Sequence, residues 1–305
     1  MFNPRTENPF TPADYWIIAT MLLCCGGIGV VLNSFVIYNL NKRPVFHCAF
    51  GRICMSHSIS ALGNNLMFAL MVAPITYIDV NLHESYVGKR SGVFAYLFWT
   101  AGILSHLLMA INRFACMYFP MKCEVIFGDG FTKFTILSVW AYSIGLSLAQ
   151  FIRLYADFVA SIICIGLVAV LDFCTYLKIR HHFSSNRVSN IGNTGSTSKN
   201  NVRFFYQSVA QGFAAGFEIV MYFYISPLVA NKWIRYSFSS ILFAGINVVD
   251  ALIVTMFNKE IRHLIYISKK EKDEMAQGLR SSTLATTTDS RAPVYLVICK
   301  AITKC

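Results

Sequence analysis

A few polar and ionisable side chains interrupt the long apolar stretches of this sequence, and these are the positions where chemistry would be done. Arg113 closes one apolar run within Asn112-Arg113-Phe114, and Pro120 follows it. Asn33 and Asp250 lie deep in two other runs, each about 18 residues from the run's start, or roughly 27 Å at helical rise. Glu218 falls near the middle of a further run, and Asp172 lies in the inner half of another. Charge in a hydrocarbon environment is costly, so an ionisable residue there is paired, protonated or functional. Asn33, Ser58, Asn64 and Asp250 are the candidates for an intramembrane polar network, which as a static knot or as a switching contact fits the residue types equally. Asp172 reads as a structural partner. Glu218 reads either as a ligand-binding carboxylate or as a protonated, paired one. His57 and His106 read as packing hydrogen bonders rather than as ligands or proton relays. Trp99, Glu218 and Tyr222 are the candidate ligand pocket; for the aromatics, as for Phe98 and Tyr224, an interfacial belt is the competing reading.

Other chemistries find no footing. The sequence holds no phosphate-binding Gly-Lys-Ser/Thr loop, no nucleophile elbow and no Cys/His cluster at zinc spacing. No catalytic residue, metal or cofactor is therefore expected, and the chain is not read as an enzyme. The ten cysteines mostly lie in or beside apolar runs, where they read as packed thiols. The net charge of +11 would suggest nucleic acid in a soluble protein. No basic stripe interleaved with aromatics accompanies it, so nucleic acid is not expected as a partner.

The elements that must position these residues are set by composition. Of 305 residues, 55% are hydrophobic and 13% charged, against about 25% charged in soluble domains. Lipid is the implied solvent. Seven runs are long enough for the roughly 20 residues a spanning helix needs: about 15–40, 48–73, 92–117, 131–152, 157–177, 204–229 and 234–257. Every backbone group in lipid must be satisfied within its own segment, so these runs should be helices. An all-α bundle of seven transmembrane helices follows. The apolar run after the polar first fourteen residues exceeds the 7–15 residues of a signal-peptide core, so it reads as an uncleaved first span. The organisation expected is an outer segment 1–14, a membrane domain 15–266 and a cytoplasmic tail 267–305.

Orientation follows from Lys and Arg. With the N-terminus outside, only Arg5, Lys89, Arg90, Arg153, Lys232 and Arg235 of the 26 Lys and Arg face outward. That asymmetry favours an outer N-terminus, and the expected location is the plasma membrane, crossed several times. The stretch from Lys178 to Arg203 reads as a flexible inner loop, and the tail with its Ser/Thr runs as a flexible linker or phosphorylation segment. Residues from Lys259 to Ile265 could lie as an amphipathic helix on lipid. Only Arg153 to Ala156 remain to connect the fourth and fifth spans.

Taken together, these residues resemble the rhodopsin-like receptor pattern. Gly29-x-x-x-Asn33 resembles its helix 1 signature, Asn112-Arg113-Phe114 with Pro120 its helix 3 motif and following proline, and Asn247-x-x-Asp250 with Phe257-Asn258-Lys259 its helix 7 end. A closer resemblance, over roughly residues 20 to 265, is to the nematode serpentine chemoreceptors of class x. The stretch Ala49-Phe50-Gly51-Arg52-Ile53-Cys54-Met55-Ser56-His57-Ser58-Ile59-Ser60 is similar to that family's helix 2. Phe98-Trp99 through Asn112-Arg113-Phe114 and Phe119-Pro120 is similar to its helix 3. The sequence also departs from the rhodopsin-like pattern. Asn112 stands in place of the acidic neighbour of the arginine, helix 2 lacks a buried aspartate, Ala251 and Val254 replace a proline and a tyrosine, and no cysteine lies at the outer end of helix 3.

The resemblance implies a chemosensory G-protein-coupled receptor. Its ligand would be an external small molecule, its partner a heterotrimeric G protein, and its surroundings membrane lipid. Asn112, Arg113, Phe114 and Pro120 would form the coupling switch, against the reading of Arg113 as a snorkelling anchor. The alternatives are a membrane transporter or channel, or a nonfunctional receptor-like protein with a shortened second outer loop. No internal repeat of the transporter kind is evident.

Overall fold

A computed structural model describes residues 10–119, 122–123, 126–150, 157–186, 195–258 and 261–262; side chains are described at these positions except 45, 150, 157–162, 181–186 and 195–202. Pro120, the connection from Arg153 to Ala156, and the tail with its Ser/Thr runs lie outside the described residues. Met1–Asn258 forms one compact unit and Lys259–Cys305 a second. In the second, Ile261 and Arg262 are helical; the rest of the predicted amphipathic helix lies outside the described residues.

The first unit is built of seven long helices, and no strand occurs among the described residues. Helix α1, Pro12–Lys42, begins at a capping box: the Thr11 hydroxyl accepts from the Asp14 amide at 3.3 Å, and Asp14 accepts from the Thr11 amide at 2.8 Å. Two otherwise orphaned amide donors are thereby satisfied. Helix α2 is Ala49–Ile78. Helix α3, Tyr86–Tyr118, starts ahead of the predicted Gly92 because Ser85 caps it, its hydroxyl accepting from the Gly88 amide at 3.2 Å. Helix α4 is Asp129–Gln150, and α5 is Asp157–Asn186. Helix α6 begins as Gly195–Val220 and runs on to Leu228. Helix α7 is Lys232–Phe257.

Much of the expected flexible loop from Lys178 to Arg203 is helical instead. Helix α5 continues to Asn186 and α6 begins at Gly195. Once an apolar helix has formed, nucleation is already met, and each further Ser, Asn or Thr costs less than about 1 kcal/mol. Polar composition alone therefore does not end a helix.

Three π turns widen these helices, at Phe68–Val72 in α2, Met221–Ile225 in α6 and Ser237–Ile241 in α7. The first two directly precede Pro74 and Pro227. A proline cannot donate back along the helix and its ring crowds the carbonyl four residues earlier. A wider turn just before it accommodates that crowding. In α7 the device is different: Ser237 and Ser239 donate to the carbonyls of Trp233 and Arg235 at 2.8 and 3.0 Å, competing with the helical ladder.

Six of the helices (α1–α4, α6 and α7) contain a stretch apolar enough to cross a membrane, and α5, at 30 residues, matches them in length. Their outer faces are apolar: Leu137 is 68% exposed and Phe213 77%. Their interior is polar, with Asn33, His57, Asn64, His106, Arg113, Gln207, Gln211 and Asp250 all buried. A water-soluble core shows the opposite arrangement.

Helix α3 is the hub and packs on α2, α4, α5 and α6, while α1 packs between α2 and α7. Small residues permit the close approaches. A Cβ on Gly29 would collide with the Asn65 side chain, and one on Gly63 with the Phe98 ring. The end of the bundle nearest the N-terminus is closed by Phe10 against Trp233 and Tyr236, and by a 2.9 Å Lys232–Asp14 ion pair joining α1 to α7. Cys116, which lies in an apolar run where most cysteines are expected as packed thiols, is instead joined to Cys123 by a disulfide between the end of α3 and the segment before α4.

Candidate functional site

Helix α3 carries a stripe of three residues at heptad spacing: Trp99, His106 and Arg113. Seven residues make about two turns, so the three share one face and stand roughly 10 Å apart. Each occupies a distinct layer of the bundle interior.

The first layer is aromatic. Phe243 of α7 lies at its centre, with ring centroids 5.6 Å from Phe68 of α2, 6.1 Å from Trp99 and 6.3 Å from Tyr222 of α6. Two members of the predicted pocket, Trp99 and Tyr222, are thus gathered by a third residue that sequence reasoning missed. Glu218 lies one turn from Tyr222 on α6, is buried, and makes no ion pair among the described residues.

The second layer is ionisable. The Nε2 of His57 on α2 lies 3.2 Å from Oδ2 of Asp250 on α7, and the Nε2 of His106 lies 3.8 Å from the same oxygen. The two imidazole rings are 4.1 Å apart. Gly102 makes room, since a Cβ there would sit in contact with Ser60 and the His57 ring. Trp99 meets Phe243 and His106 meets Asp250 one heptad later on both helices, so α3 and α7 run parallel with matched register.

The predicted polar network is only partly assembled. Asn33 donates to the Gly29 carbonyl at 3.0 Å and to the Asn247 carbonyl at 3.1 Å, one turn before Asp250 rather than to it. Ser58 is buried. Asn64 is buried too, and its amide oxygen has no hydrogen-bond partner among the described residues. The two histidines, expected as packing hydrogen bonders, both lie against Asp250, a partner that sequence reasoning did not assign to them. On the α2–α4 side, Trp140 donates to Ser56 at 3.0 Å.

The third layer surrounds Arg113. Its Nε donates to the Met109 carbonyl at 3.0 Å, and Nη1 donates to the Phe205 carbonyl of α6 at 3.3 Å. Nη2 lies 3.2 Å from Oδ1 of Asp172 on α5, an ion pair not aligned as a hydrogen bond. Asp172 therefore supplies from α5 the acid that Asn112 does not supply from α3. Beside it, Gln207 of α6 accepts from Asn258 at 2.9 Å and donates toward the Cys54 sulfur at 3.7 Å. A cavity of about 620 Å³ opens at this end of the bundle, lined by Arg52, Asn112, Arg113, Thr175, Phe204 and Phe205 among others. Phe114 is not among its lining and stacks on Tyr118 at 4.4 Å. A partner inserted there would meet Arg113 directly.

One signal for this arrangement was present in the sequence: the heptad spacing of 99, 106 and 113. The pairing of His57 and His106 with Asp250 was not legible, because the three come from different helices.

The comparisons with known proteins agree with this architecture. The chain is 24% identical to serpentine receptor class X 45 of Caenorhabditis elegans, over 87% of this chain and 85% of that protein. Residues 23–152 and 147–258 match the family described as serpentine type 7TM GPCR chemoreceptor Srx, the two stretches meeting at the end of α4. All three layers fall within the matched residues, and the chain belongs to the Srx family of serpentine seven-transmembrane chemoreceptors.

Proposed function

We propose that this chemosensory receptor sits in the plasma membrane with its N-terminus outside, binds an external small molecule in the aromatic layer, and signals to a heterotrimeric G protein from the Arg113 end. The observation that carries the coupling reading is Arg113 itself. It is buried, held to α5 by Asp172 and to the α6 backbone at Phe205, and it lines an open cavity. Such a contact has two discrete states: closed on α5 and α6, or released toward a partner in the cavity. The excess of Lys and Arg in the sequence segments that join the helices on that side supports its placement on the cytoplasmic side. Asn112, Phe114 and Pro120 complete the proposed switch, and residues 1–14, 15–266 and 267–305 are the proposed outer segment, receptor domain and tail, with lipid around the helices.

Trp99, Tyr222 and Phe243 offer ring faces to a small ligand, and Glu218 beneath them would contact a cationic or hydrogen-bonding group. Ligand binding would shift the helix equilibrium by its differential affinity for the two arrangements.

The test is ligand-independent nucleotide exchange on a heterotrimeric G protein by the receptor in nanodiscs. Arg113→Ala should abolish coupling while surface expression persists; undiminished coupling would sink the reading. For the pocket, Trp99→Ala and Glu218→Gln should change ligand potency without loss of expression. Responses intact in both variants would place the ligand elsewhere.

A further inference from the structure

We propose that His57, His106 and Asp250 form an intramembrane site for a divalent d-block cation, with zinc the best fit. The donor set comes from α2, α3 and α7, and one ligand atom from each residue lies within 4.8 Å of the other two. All three side chains are buried. In a tetrahedral zinc site with bonds of about 2.0–2.1 Å, neighbouring donors stand roughly 3.3 Å apart. Asp250 Oδ2 lies 3.2 Å from one imidazole nitrogen and 3.8 Å from the other, close to that spacing, and the third separation is within 4.8 Å.

The chemistry of the donors selects the ion. Two imidazoles and one carboxylate suit zinc and its d-block neighbours, whereas magnesium and calcium demand shells of oxygen. Asp250 Oδ1 is buried and has no hydrogen-bond partner among the described residues. That oxygen is free to take part in ligation as well. A divalent ion would also neutralise the Asp250 charge in a medium where an unpaired charge is expensive. Three protein ligands leave a fourth position open, the pattern of exchangeable rather than closed structural sites.

The position gives the ion a role. It stands one heptad from Trp99 and one heptad from Arg113 along α3, and its ligands pin α2, α3 and α7 together. Bound metal stabilises the arrangement that keeps those helices together, in which Arg113 is closed on Asp172. This regulatory consequence rests on the coupling reading above; the binding site does not.

The experiment uses the full chain in nanodiscs, stripped with a chelator and then titrated with Zn²⁺ or Co²⁺ alone. One equivalent of Zn²⁺ should bind and raise the melting temperature, and Co²⁺ should give the strong visible bands of a tetrahedral nitrogen/oxygen site that Zn²⁺ abolishes. His106→Gln, which keeps a donor near Asp250, should weaken Zn²⁺ affinity by about tenfold or more. His57→Cys should add a thiolate charge-transfer band to the Co²⁺ spectrum of any protein that folds. Absence of the cobalt bands from the wild-type chain overturns the proposal. So does a Zn²⁺ response that His106→Gln and His57→Gln leave unchanged, or stabilisation of the cluster by protons and not by metal. Metal binding in a chain that activates no G protein in either the stripped or the metal-loaded state would instead count against the coupling reading alone.

Discussion

Arg113 shows how a single side chain can be both anchored and available. Its guanidinium donates to two carbonyls and faces one carboxylate, yet it lines an open cavity. Removing the carboxylate leaves the arginine held only by carbonyls, so Asp172→Asn should raise ligand-independent G-protein activation several-fold. A basal rate equal to or below the wild type would mean the pair is a structural tie. Asp250 is a different case. Asp250→Leu leaves two buried imidazoles without their acceptor, and breaking a buried pair costs about 3–5 kcal/mol in soluble proteins. The variant should be retained inside the cell or silent; normal surface expression with normal signalling would contradict both a structural and a switching role.

At the scale of elements, the closest approaches between helices are made where small residues stand, beside the aromatic contacts gathered at Phe243. Gly29 faces the Asn65 side chain across the α1–α2 contact, with Gly26 one turn away against the α2 backbone near Ala69. In lipid the hydrophobic effect does not drive helices together, so close packing and interhelical hydrogen bonds carry the association. Gly29→Leu should therefore cost about 1–3 kcal/mol by overpacking, read as a melting temperature several degrees lower. Phe213→Leu, on the exposed face of α6, should leave it within about a degree, and equal losses in both would mean that the α1–α2 approach is not critical. The π turns belong to this scale as well. Those in α2 and α6 answer Pro74 and Pro227, residues that a reading based on apolar runs treats only as boundaries.

For the whole molecule, the solvent organises the structure, with apolar faces outward and the ionisable layers within. Outside the spans, the α2–α3 connection is seated by His83, whose Nε2 lies 2.9 Å from the Thr76 hydroxyl. Burial lowers the His83 pKa, since it disfavours the charged ring, and Glu84 offsets this only in part. A histidine depressed in the folded state takes up fewer protons than the unfolded chain. Its contribution is undiminished above the unfolded pKa of about 6.5 and is lost as pH falls below it toward the lowered folded value. The melting temperature should fall as pH drops through 6, and His83→Gln should remove that part of the slope. An unchanged slope in the variant would assign it to other groups. Epitope tags at both ends, read in intact and permeabilised cells, check the proposed orientation: an N-terminal tag reached outside and a C-terminal tag reached only after permeabilisation.

What the sequence determined by itself was the solvent, the helices and the family. Apolar runs of spanning length admit one backbone solution in lipid, and Asn33, Arg113 and Asp250 stand out because charge and amide groups in such runs are rare. Helix ends were less legible. Ser85 extends α3 through a cap, and α5 and α6 run past their apolar stretches on nucleation already met. What only tertiary structure decided was partnership. Asp172 serves Arg113, Asn33 reaches the Asn247 carbonyl rather than Asp250, Phe243 gathers Trp99 and Tyr222, and His57 and His106 converge on Asp250. Each pairing joins different helices, and it depends on their rotation and register. Those follow from glycine contacts and π turns along the whole bundle rather than from the spacing of residues within one run.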